Sequence, residues 1–227
     1  MRYLLLDFYR KLLDAFGPQQ WWPGETPLEV VVGAVLTQNT AWLNVERAIK
    51  NLKSNELLSF EALETLSAGR LAELIRPAGY FNIKAARLKN LIRLLRERYD
   101  GDVLRLRSDE LSNARAALLS VSGVGPETAD SILLYALGKP VFVVDAYTRR
   151  VFSRHGFFAA ALSYERIRGF FESALPRDAQ LFNEYHALLV KLGKDCCRPW
   201  PLCAVCPVCE VFAAMGRPVR LRSEQAG

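Results

Sequence analysis

The chain has 227 residues, 51% of them hydrophobic, with a formal net charge of +6 and an isoelectric point near 9.2. That length holds one large domain or two small ones with a genuine core, and the basic balance suits a nucleic-acid partner. No uninterrupted apolar run reaches the length of a membrane span, and the five cysteines all fall between Cys196 and Cys209, a clustering that argues against a disulfide framework and for a metal or cluster site.

Residues 1–16 read as an amphipathic helix. Its Asp7, Arg10, Lys11 and Asp14 rule out a signal peptide, and a soluble, cytoplasmic chain is expected, nucleoid-associated if the source is prokaryotic. A loop, 17–24, carries the adjacent Trp21 and Trp22. Thr26 is placed to cap a helix with Pro27 at its first position. That helix, Leu28 to Leu36, is nearly all apolar and reads as central and packed on every side. It ends at Thr37-Gln38-Asn39-Thr40, and Thr40 is expected to cap the next helix, which begins at Ala41-Trp42. Short helices follow near Phe60–Leu66 and Arg70–Ile75, capped by Ser59 and Ser67. A long helix from Ile83 to Tyr99 carries Lys84, Arg87, Lys89, Arg93, Arg96 and Arg98; a run of this kind is ordinarily a solvated face. Ser108 is expected to cap a helix reaching Leu119. Further helices are expected over Ala146–His155, Tyr164–Leu175 and Ala179–Leu192. Strand signals are nearly absent.

The stretch from Leu118 to Asp145 organises the rest. A helix breaks at Gly123-Val124-Gly125 and a second restarts with Pro126 in its first turn, where a missing N–H costs nothing. The corner presents free N–H groups to an anion. Gly138 and Pro140 stop the second helix, and the apolar run 141–144 delivers one carboxylate, Asp145. This string resembles the helix-hairpin-helix, Gly/Pro-rich loop and Asp signature of the endonuclease III superfamily of DNA glycosylases. The resemblance implies that Gly123, Val124 and Gly125, with Thr128 beside them, bind the DNA backbone and that Asp145 is the catalytic carboxylate. It gives Gln38 the role of filling the gap left by a flipped base, and Gly-Tyr-Phe-Asn-x-Lys-Ala at 79–85 places Lys84 near the DNA.

Cys196, Cys203, Cys206 and Cys209 follow C-x6-C-x2-C-x2-C, with Cys197 extra. Thiolates so close suit a four-iron cluster or zinc. The resemblance favours a 4Fe-4S cluster as a structural clamp. Phe212 stands where that family has its fourth cysteine, so Cys209 takes its place. Neither His155 nor His186 has a partner set that suggests a role.

Bifunctional members of the family carry a lysine two residues after the second hairpin glycine, and it forms a Schiff base with the sugar. Glu127 stands there, and a carboxylate cannot form an imine. Strand cleavage should therefore be absent or weak, and water should be the nucleophile. One carboxylate with no evident acid suits a base that already carries a positive charge, and aromatic rings bind such a cation. Trp-Trp-Pro at 21–23, Gly-Ala-Val-Leu-Thr-Gln-Asn-Thr at 33–40 and the hairpin string together resemble the 3-methyladenine glycosylases of the endonuclease III type, in which the positions of Trp21, Trp22 and Trp42 line the base pocket. Two departures stand out: the characterised bacterial example of that group lacks the cysteine cluster, and its pocket-side lysine corresponds to about Leu188.

The expectation is an all-α, helix-hairpin-helix DNA glycosylase fold. A helical barrel spans 22–142, a second subdomain combines 1–21 with 143–227 and holds the cluster loop 196–209, and a cleft between them contains Asp145 and Glu127. The partner is double-stranded DNA with a damaged base, flipped for excision by a monomer. The alternatives are a bifunctional glycosylase/lyase acting on oxidised pyrimidines and a non-catalytic DNA-binding iron–sulfur protein.

Overall fold

The structure is a computed structural model that describes residues 1–214. Among the described residues every regular element is helical, and no helix is long and apolar enough to cross a membrane. The chain divides into two compact units, one formed by 22–139 and the other by 1–21 with 140 onward. The second subdomain expected from the sequence runs on to residue 227, so its last stretch lies outside the described residues.

Helix α1 (Arg2–Phe16) belongs to the second unit. The first unit begins with α2 (Pro27–Leu36), whose residues 29–36 are all buried. Thr26 caps α2 by accepting the Glu29 N–H at 3.2 Å, which satisfies one of the donors a helix start leaves open. Against α2 pack α3 (Trp42–Ser54) and α6 (Phe81–Tyr99), and α4 (Phe60–Thr65) and α5 (Ala68–Leu74) pack on α6. Ser59 and Ser67 cap α4 and α5, each accepting a backbone N–H at 3.2 Å.

Two local expectations are corrected. Thr40 is not a cap: α3 starts after Ala41 with no side-chain cap, because the Thr40 hydroxyl donates to the Ala78 carbonyl at 2.6 Å. Ser108 caps no helix reaching Leu119: it is the last residue of a helix the sequence did not announce, α7 (Val103–Ser108), and α8 (Leu111–Leu119) starts only after Glu110. Asp109 is fixed from both sides, its carboxylate accepting from Tyr99 Oη at 2.8 Å and its carbonyl from Lys139 Nζ at 2.5 Å. These tertiary bonds hold it in extended backbone (φ −67°, ψ 151°) and break the helical run.

After α8 comes the hairpin turn, then α9 (Pro126–Ser131), which continues into a π-helical turn, Ile132–Ala136. Such turns insert a residue into a helix and recur at functional positions.

In the second unit, α10 (Ala146–Arg154), α11 (Tyr164–Ala174) and α12 (Ala179–Asp195) pack with α1 around an aromatic core. Phe8, Phe142, Phe152, Phe171, Phe182 and Phe212 are fully buried. Phe142 and Phe171 stack with centroids 4.1 Å apart, and the buried Tyr185 hydroxyl donates to the Leu5 carbonyl at 3.0 Å, tying α12 to α1. A short helix, α13 (Cys209–Ala214), follows the cysteine loop. Gly193 on α12 is a close-approach point: a Cβ there would lie 2.3 Å from the Tyr147 ring of α10.

Candidate active site

Asp145 is delivered by the extended, buried segment 141–144. The segment makes no sheet, and side chains serve its N–H groups instead. Phe142 N–H donates to Glu172 Oε1 at 3.0 Å and Val144 N–H to Tyr164 Oη at 3.4 Å, so the approach to Asp145 is rigid. Asp145 is itself the N-cap of α10, with Oδ1 accepting the Thr148 N–H at 2.7 Å. Oδ2 lies 3.6 Å from His186 Nε2, and the two side chains are 12% and 7% exposed. Burial pushes the Asp145 carboxyl up, but the imidazole of His186 and the Thr148 N–H outweigh it and hold the group below the usual carboxylate range. The site therefore contains a fixed, ionised carboxylate in apolar surroundings, able to stabilise a developing cation or to take a proton from water.

His186 was given no role by sequence. The signal was its register: Phe182, Tyr185, His186 and Leu189 share the buried face of α12, and an imidazole on an apolar stripe calls for a polar partner.

The hairpin turn depends on Gly123, which has φ +94° and no room for a Cβ, since one would lie 2.3 Å from Arg87 Cγ. Gly125 has open space where a Cβ would be, which leaves its backbone approachable. Val124 is corrected: its side chain is buried and its N–H closes the turn on Val121 O at 3.0 Å, so it shapes the turn and has no N–H to offer a phosphate. Glu127 is exposed in the first turn of α9. Thr128 is buried, and its hydroxyl accepts from Gln38 Nε2 at 2.9 Å.

Gln38 also donates to the Gly123 carbonyl at 3.1 Å and accepts from Arg87. It is thus bound to the hairpin, a juxtaposition that residues 85 apart in sequence do not announce.

The expected placement of Lys84 at the DNA is corrected as well. Lys84 is 1% exposed, and its ammonium donates to Leu36 O at 2.8 Å, Thr40 Oγ1 at 2.6 Å and Ala78 O at 2.8 Å. It closes the end of α2 inside the unit. Burial, with Arg87 nearby, lowers its pKa to about 8.

Trp22 and Trp42 meet edge to face, centroids 4.9 Å apart at 84°, so no base-sized slot lies between those two rings. Trp22 stacks on Tyr135 of the π turn at 5.0 Å and covers Gly33, where a Cβ would sit 3.3 Å from its ring. Trp42 Nε1–H donates to Glu46 Oε1 at 2.7 Å. Both indoles line a cavity of about 220 Å³ with Gly33, Glu29 and Glu46. Trp21 belongs to the other unit, where Lys194 Nζ lies 6.0 Å from its ring centroid.

All five cysteines line one recess together with His155. Among the described residues no three His, Cys, Asp or Glu side chains are gathered around one metal-ion position. The Cys206 thiol is pushed up to about 11, chiefly by burial. Cys197 shares the recess, but its sulfur accepts from Arg154 Nη1 at 3.2 Å and its carbonyl from Arg150 Nε at 2.7 Å. Phe212 is a core residue, stacked on His155 at 3.7 Å.

Residues 32–177 match the profile of the HhH-GPD superfamily of base excision DNA repair proteins. The chain is 50% identical over 208 residues to a Methanocaldococcus jannaschii protein named as a DNA repair glycosylase, covering 91% of this chain and 94% of that one. It is 31% identical to the endonuclease III of Thermotoga maritima, covering 88% and 90%. Among solved structures it resembles the H. pylori 3-methyladenine DNA glycosylase bound to 1,N6-ethenoadenine, with a TM-score of 0.71 and 29% identity over 85% of this chain and 95% of that one.

Proposed function

The chain belongs to the HhH-GPD superfamily of base excision DNA repair proteins, has the all-α glycosylase fold of that family, and is a DNA glycosylase; on that premise we propose that it is monofunctional and excises cationic alkylated purines, 3-methyladenine foremost. The observation that carries the reading is the Asp145 site: one ionised carboxylate, capped by Thr148 and faced by His186. Glu127 in place of the family's lysine supports hydrolysis without a Schiff base.

In the proposed reaction Asp145 stabilises the oxocarbenium-like sugar and receives a proton from the attacking water as the N-glycosidic bond breaks. A base that carries a positive charge departs neutral and needs no acid. The cavity beside Trp42 suits such a base, since indole faces attract cations and the Glu46 carboxylate is in its lining, while Glu29 there is paired with Lys53 at 2.9 Å. The base would lie on a face of Trp42 rather than between Trp22 and Trp42. Likeness to the H. pylori enzyme supports this substrate class. Gly123, Gly125 and Gln38 are the proposed contacts to duplex DNA, bound by a monomer.

Cys196, Cys203, Cys206 and Cys209 fit a four-iron, four-sulfur cluster, because the four thiols line one recess, where burial opposes ionisation of Cys206 unless a metal centre compensates. Bound there, the cluster supplies a rigid cross-link for the loop 196–209.

Single-turnover base release from duplexes carrying 3-methyladenine tests the reading. Asp145→Asn should nearly abolish release while sparing DNA binding, and the product strand should stay intact until alkali is added. A covalent adduct on borohydride treatment would replace this reading with a lyase.

A further inference from the structure

We propose that His186 is a positioning residue for Asp145, donating Nε2–H to Oδ2 so that the carboxylate stays ionised and turned toward the reacting sugar. The inference deepens the proposed function and rests on its reading of Asp145 as the catalytic carboxylate.

The geometry is a two-point hold. Oδ1 is fixed by the Thr148 N–H at 2.7 Å, inside α10's own first turn. Oδ2 faces the His186 imidazole of α12 at 3.6 Å, a few tenths of an ångström beyond a direct hydrogen bond. Such contacts tighten when substrate binds. α10 and α12 pack closely along their length, and Tyr185, next to His186, is anchored to Leu5 O, so the imidazole sits on a fixed frame. A carboxylate held at one oxygen only would rotate about its terminal torsion; the second contact removes that freedom.

The charged groups around the pair are engaged elsewhere. On α10, Arg149 donates to the Ala160 and Leu162 carbonyls, and Arg150 to those of Gly193 and Cys197. Arg154 binds the Arg198 and Pro199 carbonyls. On α1, Tyr9 lies beside Glu184 and Asp178, and Glu184 accepts the Gln19 N–H. The side chains and N–H groups acting on the Asp145 carboxylate are those of His186 and Thr148.

The test is single-turnover base release across a pH series for wild type, His186→Leu, His186→Gln and Asp145→Asn, with duplex affinity and thermal melting recorded for each. His186→Leu should slow release by roughly a hundredfold, the scale of a misplaced reacting group, and move the acid limb of the profile to higher pH. His186→Gln, which can still donate, should recover most of the rate. Duplex affinity should stay that of wild type. An acid limb unmoved in both folded His186 variants would overturn the proposal while leaving Asp145's role intact. Should His186→Leu melt early, His186→Gln decides alone, and loss of rate equal to that of a non-donor at unchanged melting would refute the donor role. Full activity in Asp145→Asn would instead refute the proposed function on which the inference stands.

Discussion

Arg115 and Asp130 face each other across the hairpin in a two-pronged ion pair, Nε to Oδ1 at 2.6 Å and Nη2 to Oδ2 at 3.2 Å. Asp130 is fully buried and Arg115 is 14% exposed. The pair joins α8 to α9 and so fixes the angle at which the glycine turn is presented. Removing one member breaks a buried ion pair, at a cost of about 3–5 kcal/mol. Asp130→Ala should lose that much in urea unfolding, and a loss below about 1 kcal/mol would mean that the hairpin is held by apolar packing alone.

The two hairpin glycines should separate folding from DNA contact. Gly123→Ala meets both a φ of +94° and the Arg87 side chain, and should destabilise by more than about 1 kcal/mol. Gly125→Ala has φ −91° and open space, so stability should stay within about 0.5 kcal/mol of wild type. If a phosphate approaches that backbone closely, Gly125→Ala should still weaken duplex binding. Fluorescence anisotropy with a short duplex reads the difference, and unchanged affinity would place the phosphate elsewhere.

Lys84 has a folded-state pKa near 8 against an ordinary 10.5. Between those values the unfolded chain binds a proton that the folded chain lacks, so Lys84 contributes a rise in stability with pH across that window and a loss as pH falls through 8. Lys84→Met removes the contribution. The stability of wild type minus that of Lys84→Met should rise from pH 8 to pH 10.5, tyrosine ionisation cancelling in the difference. Parallel curves would show that the ammonium is not desolvated.

Cys197 and Cys196 should behave oppositely. The Cys197 sulfur accepts from Arg154, whereas Cys196 belongs to the proposed ligand set. Cys197→Ser should keep iron and visible absorption, and Cys196→Ser should lose both. The reverse pattern would move the first ligand by one residue, and zinc without iron in the wild type would overturn the cluster.

Much of the fold was legible because local signals and burial agreed. Thr26-Pro27, Ser59 and Ser67 each announce a helix start by cap chemistry, and the unbroken apolar run of α2 announces its central place. The misses share one cause, which is tertiary competition for a polar group. Thr40 has the residue type of a cap, yet Ala78 takes its hydroxyl. Lys84 sits in a basic run, yet three acceptors at the end of α2 draw it inside. At the candidate site Asp145 stood out because a lone carboxylate ends an apolar run. His186 did not, since its partner is 41 positions away along the chain and only the packing of α12 on α10 brings the two together.

The substrate assignment is the central claim, and the species released from damaged duplex tests it most directly. Wild-type protein would be incubated with otherwise matched duplexes carrying 3-methyladenine or thymine glycol, and the freed bases identified by mass spectrometry. Because a cation–indole contact at a desolvated site contributes up to about 2 kcal/mol and each 1.4 kcal/mol is about a factor of ten, the account predicts free 3-methyladenine released at least tenfold faster than thymine glycol, with the strand left intact. Efficient release of thymine glycol with none of 3-methyladenine would contradict it.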